Sequence, residues 1–165
     1  MQIAENENLV MFSITDHDSL EGTEIAEELS DHFSFQYLTG IELSARYEGK
    51  KIEILGYNFD TKNEKLKTKL KDLQKAREER IKKILTKLND LNLHITLDEI
   101  LTQIGTAKSP GRPHFARTLL SKNYVKSVHE AFDKYLNEGK PAYVPRKTIK
   151  SEEAIKLIHK ARGTA

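Results

Sequence analysis

The chain of 165 residues contains no cysteine, which excludes disulfides, thiolate metal sites and cysteine nucleophiles. No apolar run approaches the roughly 18 residues needed to cross a bilayer. The opening residues, Met1-Gln2-Ile3-Ala4-Glu5-Asn6-Glu7-Asn8, lack the basic stretch and long apolar segment of a secretory signal. A cytoplasmic location is the expectation that fits these absences. Internal repeats and low-complexity linkers are also missing. What is present is a globular composition, 38% hydrophobic and 32% charged, in a length that suits one domain or one domain with a small insertion. The net charge of +2 is unevenly held: between Lys62 and Lys87 there are 11 Lys or Arg against 4 Asp or Glu, leaving −5 for the rest. A basic segment on an acidic body fits an anionic substrate approaching one face.

Leu9 to Ile14 is a nearly continuous apolar run, the pattern of a strand buried on both faces. It ends in Thr15-Asp16-His17-Asp18. Gly22 to Leu29 reads as a helix with Ile25, Ala26 and Leu29 on one face. Ile41, Leu43, Ala45 and Tyr47 alternate, and after a turn at Glu48-Gly49 the alternation resumes with Ile52 and Ile54, as in a strand pair. From Asn63 to Leu93 the period changes: Leu66, Leu70, Leu73, Ile81, Ile84, Leu88 and Leu91 mark a long amphipathic helix. Thr96 to Glu99 and Ser127 to Glu130 are capping boxes, the second opening a helix that runs to near Gly139. Pro113 suits the first turn of another helix, Ala142-Tyr143-Val144 reads as a short strand, and Ser151 opens a last helix. Residues 1–59 and 142–165 therefore form an α/β body, with residues 60–141 as an all-helical insertion.

Asp16, His17 and Asp18 follow directly on a strand, where catalytic groups collect in parallel α/β folds. Imidazole and carboxylate suit Zn, Mn, Fe or Mg. Read alone, the same residues fit a turn equally well, with Asp18 capping the next helix.

An ordered set of motifs adds to this. Ile14-Thr15-Asp16-His17-Asp18-Ser19 resembles the second metal motif of the polymerase-and-histidinol-phosphatase (PHP) family, and Gly40-Ile41-Glu42 resembles that family's strand-borne metal glutamate. Gly111-Arg112-Pro113-His114 with Ala116-Arg117 is similar to a segment of the family's nucleotide and RNA phosphoesterase branch. Lys134-Tyr135-Leu136, Gly139 to Val144 and Ala154 to His159 continue the resemblance in order. It implies a partial distorted (β/α)7 TIM-like barrel with an inserted helical subdomain, and hydrolysis of phosphate esters at a cluster of divalent metal ions, with manganese, zinc, magnesium or iron all candidates. The implied substrate is a phosphorylated nucleotide, or a short RNA cleaved in the manner of a 5'-3' exoribonuclease. His17 and Glu42 are the implied metal ligands, with Asp16 orienting or ligating beside them. Glu53 stands where many relatives carry a histidine ligand. Arg112 and His114, at a helix start, are the implied phosphate contacts, with Arg117 a third.

The family's H-x-H, H-P and D-x-H motifs have no counterpart among the six histidines, His17, His32, His94, His114, His129 and His159. A catalytic metal needs about three protein ligands and an open position, and a cluster needs more than Asp16, His17, Glu42 and Glu53 supply. The expectation is a truncated chain, inactive alone, whose open strand edges favour self-association. The alternative is a non-catalytic nucleic-acid-binding or interaction module. On the long helix Lys65, Lys69, Lys75, Arg77, Arg80 and Lys83 avoid the leucine stripe and read as a solvated face, with backbone contacts to nucleic acid as the second reading. Tyr124, Tyr135 and Tyr143 suit base stacking or packing equally. His32, His94, His129 and His159 lack ligand-like spacing.

Overall fold

The computed structural model describes residues 1–105 and 110–165. The chain divides into two compact units, residues 1–74 with 147–165, and residues 75–146. The first is a mixed α/β unit. Strand β1 (Met11–Ile14) pairs in parallel with β2 (Gln36–Tyr47), which pairs antiparallel with β3 (Lys50–Tyr57) and in parallel with β4 (Ile149–Lys150). Tyr47 and Lys50 are joined by Glu48 and Gly49, both left-handed at φ 47° and 78°. Two positive φ values give a turn whose twist matches the strands, and glycine takes the second without a steric cost.

The alternation read from the sequence is realised. Ile41, Leu43 and Ala45 are buried on one face of β2, in one core with Ala154 and Ile158 of α7 (Ser151–Lys160). The opposite face carries Glu42 and Ser44. Helix α2 (Glu21–Leu29) buries Thr23 and Ala26, whereas Ile25 and Leu29 are exposed, so its inward face is narrower than the apolar residues suggest. Strand β1 departs further from expectation. Val10 is 85% and Met11 50% exposed, because among the described residues β1 has a strand neighbour on one edge alone.

Helix α3 (Glu64–Asp90) is the expected long helix, and it belongs to both units. Leu66, Leu70 and Leu73 lie in the core of the first, Ile81, Ile84 and Leu88 in that of the second. The division thus falls within the helix and not at its start. The second unit adds α4 (Leu97–Leu101), α5 (Arg112–Ser121) and α6 (Val128–Ala131) around Ile100, Phe115, Leu119 and Leu136. Thr96 caps α4 as expected: its hydroxyl accepts from Glu99 N (3.2 Å), and the Glu99 carboxylate accepts from Thr96 N (2.8 Å) and pairs with Lys122. Thr96→Ala is expected to cost about 1 kcal/mol, read as a lower midpoint in urea.

Two expectations in this unit are corrected. The helix opened by Ser127 does not run on as α-helix to Gly139. After α6 it widens into one π-helical turn, Phe132–Leu136, closed by Asn137 N donating to Phe132 O at 2.9 Å. Nor do residues 142–144 form a strand; β4 lies at Ile149–Lys150 instead. The carbonyls of Tyr143 and Val144 accept from the side chains of Lys87 (2.9 Å) and Arg80 (2.7 Å), and Pro145 has no N–H to offer a ladder. No helix among the described residues is long and apolar enough to cross a membrane.

Candidate metal centre

Strand alternation and cross-strand register place Glu42 and Glu53 on the same face of the sheet. Leu55 stands opposite Glu42 and Ser44 opposite Glu53, so the two carboxylates are diagonal neighbours. His17 reaches them because the chain beyond β1 continues along β2, making a parallel bridge to Glu42. Asp18 N donates to Glu42 O (2.9 Å) and Glu42 N to Asp16 O (3.1 Å). The Asp18 carboxylate accepts from Ser44 N at 2.9 Å, with its own backbone left-handed at φ 51°. Asp18 is therefore the side chain that fastens the His17 turn to β2. Its fit to a tight turn was visible in the sequence; its partner on β2 was not.

The result is a triad. His17 Nε2 is 3.4 Å from Glu42 Oε2, and its Nδ1 is 3.8 Å from Glu53 Oε1. One ligand atom from each of the three residues lies within 4.8 Å of the others. His17 and Glu53 are each 52% exposed and Glu42 22%, so the cluster is open to solvent. Burial pushes the Glu42 carboxyl above the ordinary carboxylate range, and a hydrogen bond with Glu53 adds to the rise, while His17 opposes it. Two acids this close favour a shared proton or a cation. One nitrogen and two carboxylates suit a divalent ion at about 2.0–2.2 Å per ligand, within reach of small side-chain rotations. The residues fit such an ion. On the same face the buried hydroxyls of Ser13 and Ser44 have no hydrogen-bond partner among the described residues.

Asp16 is not part of the triad. Its carboxylate lies against Gly22 in the first turn of α2, where an added Cβ would collide with it. The glycine is what admits a carboxylate there. Beside it Tyr37 shares a hydrogen bond with Thr23 (2.7 Å), and burial raises the phenol's pKa.

The expected phosphate contacts lie in the second unit. Gly111 is extended at the start of α5, and His114 Nδ1 accepts from Gly111 N at 2.8 Å. The imidazole thus does the work of a capping-box carboxylate, and the neutral ring carries its hydrogen on Nε2. Arg112 donates from Nη1 to Leu136 O at 3.1 Å, a carbonyl at the end of the π turn. Its guanidinium carbon is 5.7 Å from the ring centroids of both Phe132 and Tyr143, in cation–π range. Arg117 is exposed; helical spacing sets it roughly 140° round the axis from Arg112 and roughly 60° from His114. His32, His94, His129 and His159 are exposed, and His129 meets Asp133 at 3.0 Å.

Sequence comparison matches the chain at 32% identity over 158 residues to a 5'-3' exoribonuclease of Haemophilus influenzae, covering 94% of this chain and 56% of that protein. A 3',5'-nucleoside bisphosphate phosphatase of Chromobacterium violaceum is 28% identical over 155 residues, covering 94% and 54%. Among solved structures, a proposed metal-dependent phosphoesterase of Bifidobacterium adolescentis superposes with a TM-score of 0.76 at 27% identity, over 98% of this chain and 57% of that one. An amidohydrolase from Chromobacterium violaceum, solved with bound sulfate and no metal, gives 0.75 at 28% identity, over 97% and 56%. The chain spans little more than half the length of these relatives. No family model matches it.

Proposed function

We propose that this chain is part of a PHP-type metal-dependent phosphoesterase and takes part in the hydrolysis of phosphate esters of nucleotides or short RNA, the substrates named for its relatives. The observation that carries the reading is the convergence of His17, Glu42 and Glu53 from three chain segments onto one open face. In this proposal those three side chains hold a divalent ion. Bound there, the ion neutralises phosphate charge and lowers the pKa of adjacent water. Asp18 keeps His17 on β2. Asp16 acts indirectly, through its carbonyl bond to Glu42 and its seat against Gly22. Arg112 offers a planar fork to phosphate oxygens and His114 a neutral Nε2–H, with Arg117 beside them. The unit built on β1 to β4 is part of a distorted β/α barrel in this reading, residues 75–146 are its helical insertion, and the site of action is the cytoplasm.

Manganese binding followed by electron paramagnetic resonance, with phosphate release from a nucleoside 3',5'-bisphosphate measured in the same samples, tests the proposal. One Mn(II) site is expected, lost in His17→Ala, with little turnover by this chain alone, since three donors serve one ion and not a cluster. An unchanged site in His17→Ala would overturn the assignment, and fast turnover would overturn the expectation of an incomplete centre. Binding of single-stranded oligonucleotides that falls steeply with salt, with no Mn(II) site, would favour a non-catalytic module instead.

A further inference from the structure

We propose that Ser44 is a positioning residue of the metal centre, its buried hydroxyl donating to the Glu53 carboxylate oxygen that is left free when Glu53 ligates a divalent ion; this deepens the reading above and rests on it. Ser44 is 5% exposed, and its Oγ has no hydrogen-bond partner among the described residues. A buried hydroxyl without a partner is costly, and it has a reason to be there when ligand binding supplies the partner. Ser44 stands opposite Glu53 and two residues beyond Glu42, so the three side chains leave one face of the hairpin. Glu42 N donates to Asp16 O, Glu42 O accepts from Asp18 N, and Ser44 N donates to the Asp18 carboxylate at 2.9 Å. The backbone groups of these residues thus turn toward the His17 segment and away from β3. In an antiparallel ladder that makes Ser44 and Glu53 a non-hydrogen-bonded pair, with Cα atoms about 4.5 Å apart and side chains at their closest approach.

Carboxylate chemistry supplies the rest. An ionised carboxylate offers two oxygens and about four lone-pair sites. Glu42 and Glu53 hydrogen-bond to each other; when both aim an oxygen at one cation that bond is given up, and each keeps a second oxygen to satisfy. Glu53 is half-exposed and has room to turn, whereas Ser44 is fixed at its backbone by Asp18. A donor at a fixed point selects one rotamer of a mobile ligand, the part played by groups that stand behind metal ligands. Ser13 supplies the contrast. Its Oγ is also buried and unpartnered on this face, but Ser13 pairs in register with Leu38, four residues from Glu42 and roughly 13 Å along the strand. That places it out of reach of both carboxylates.

The test sets a manganese titration of the full chain, followed by electron paramagnetic resonance, beside thermal melts of the same proteins in EDTA. Ser44→Ala is expected to bind Mn(II) about tenfold more weakly than the wild type. In EDTA it should melt no lower, because the change removes a buried group that has no partner. Ser13→Ala, the distant control, should alter manganese affinity less than about twofold. A serine kept for structure alone would do the reverse, lowering the melting temperature and leaving affinity unchanged. Manganese affinity of Ser44→Ala within about twofold of the wild type refutes the inference and leaves the triad standing. So does a weakening that Ser13→Ala matches, or one accompanied by a lower melting temperature in EDTA. A wild type with no Mn(II) site refutes the metal reading and this inference together.

Discussion

Glu42→Gln is expected to stabilise the metal-free protein at neutral pH and to remove its stabilisation by divalent ions. The first effect follows from the raised carboxyl pKa, caused by burial and then by Glu53. An acid whose folded pKa exceeds its unfolded one binds its proton more tightly when folded, so stability falls as pH rises through the interval between them. The burden is absent below the ordinary carboxylate range and complete above the raised value. The variant's advantage in melting temperature in EDTA should therefore be largest near neutrality and vanish on acidification. The second effect has the opposite sign. An ion at a hundred times its Kd stabilises the fold by about 2.7 kcal/mol, on the order of 5–10 °C for a chain of this size. Because altering a group behind a ligand already costs about 10- to 100-fold in affinity, removing a direct ligand should erase that shift. Thermal melts with Mn(II) and with EDTA, from acid to neutral pH, decide the matter. Equal manganese shifts in wild type and variant would place the ion elsewhere.

Phe115→Ala is expected to cost about 3–5 kcal/mol. Phe115 is fully buried in the same core as Ile100, Leu119 and Leu136. It also follows His114 directly, in the first turns of α5. Hydrogen exchange should accelerate across α5 and the π turn Phe132–Leu136, and phosphate affinity should fall with it. Unchanged protection of α5 would mean that the cavity had closed by repacking.

The sequence made the strongly periodic elements legible. Ile41, Leu43 and Ala45 alternate against Ile52 and Ile54, and both pairings are found; the α3 stripe from Leu66 to Leu88 is equally plain. Thr96 and Glu99 announce their own cap because each needs the other's backbone N–H. The site was legible only where side-chain chemistry coincided with a motif. His17 and Glu42 were readable on that ground, and Glu53 was doubtful because a carboxylate replaces an imidazole, yet the hairpin register alone brings it beside Glu42. Of the two readings for Asp16, orienting or ligating, sequence adjacency to His17 could not choose, since successive residues along an extended segment face opposite ways. Composition could not show that Leu9 to Met11 would stand open, because burial of a strand depends on neighbours distant in the chain. Nor could it show that lysine and arginine side chains, and not a strand, take the carbonyls of Tyr143 and Val144. Arg80 was hidden in a charge run that gives no sign of which members, such as Arg80 and Lys87, reach backbone carbonyls.

The backbone amide of Gly111 has an effect out of proportion to its size. By occupying the δ lone pair of His114, it leaves that ring without a spare electron pair while the hydrogen stays on the ε nitrogen. In the reading proposed above, a divalent ion such as zinc then finds a competent imidazole beside the Glu42 and Glu53 carboxylates and none at His114. Hydrogen bonding alone distinguishes the two rings: His17 has a carboxylate near each of its nitrogens, and His114 is left with a donor only.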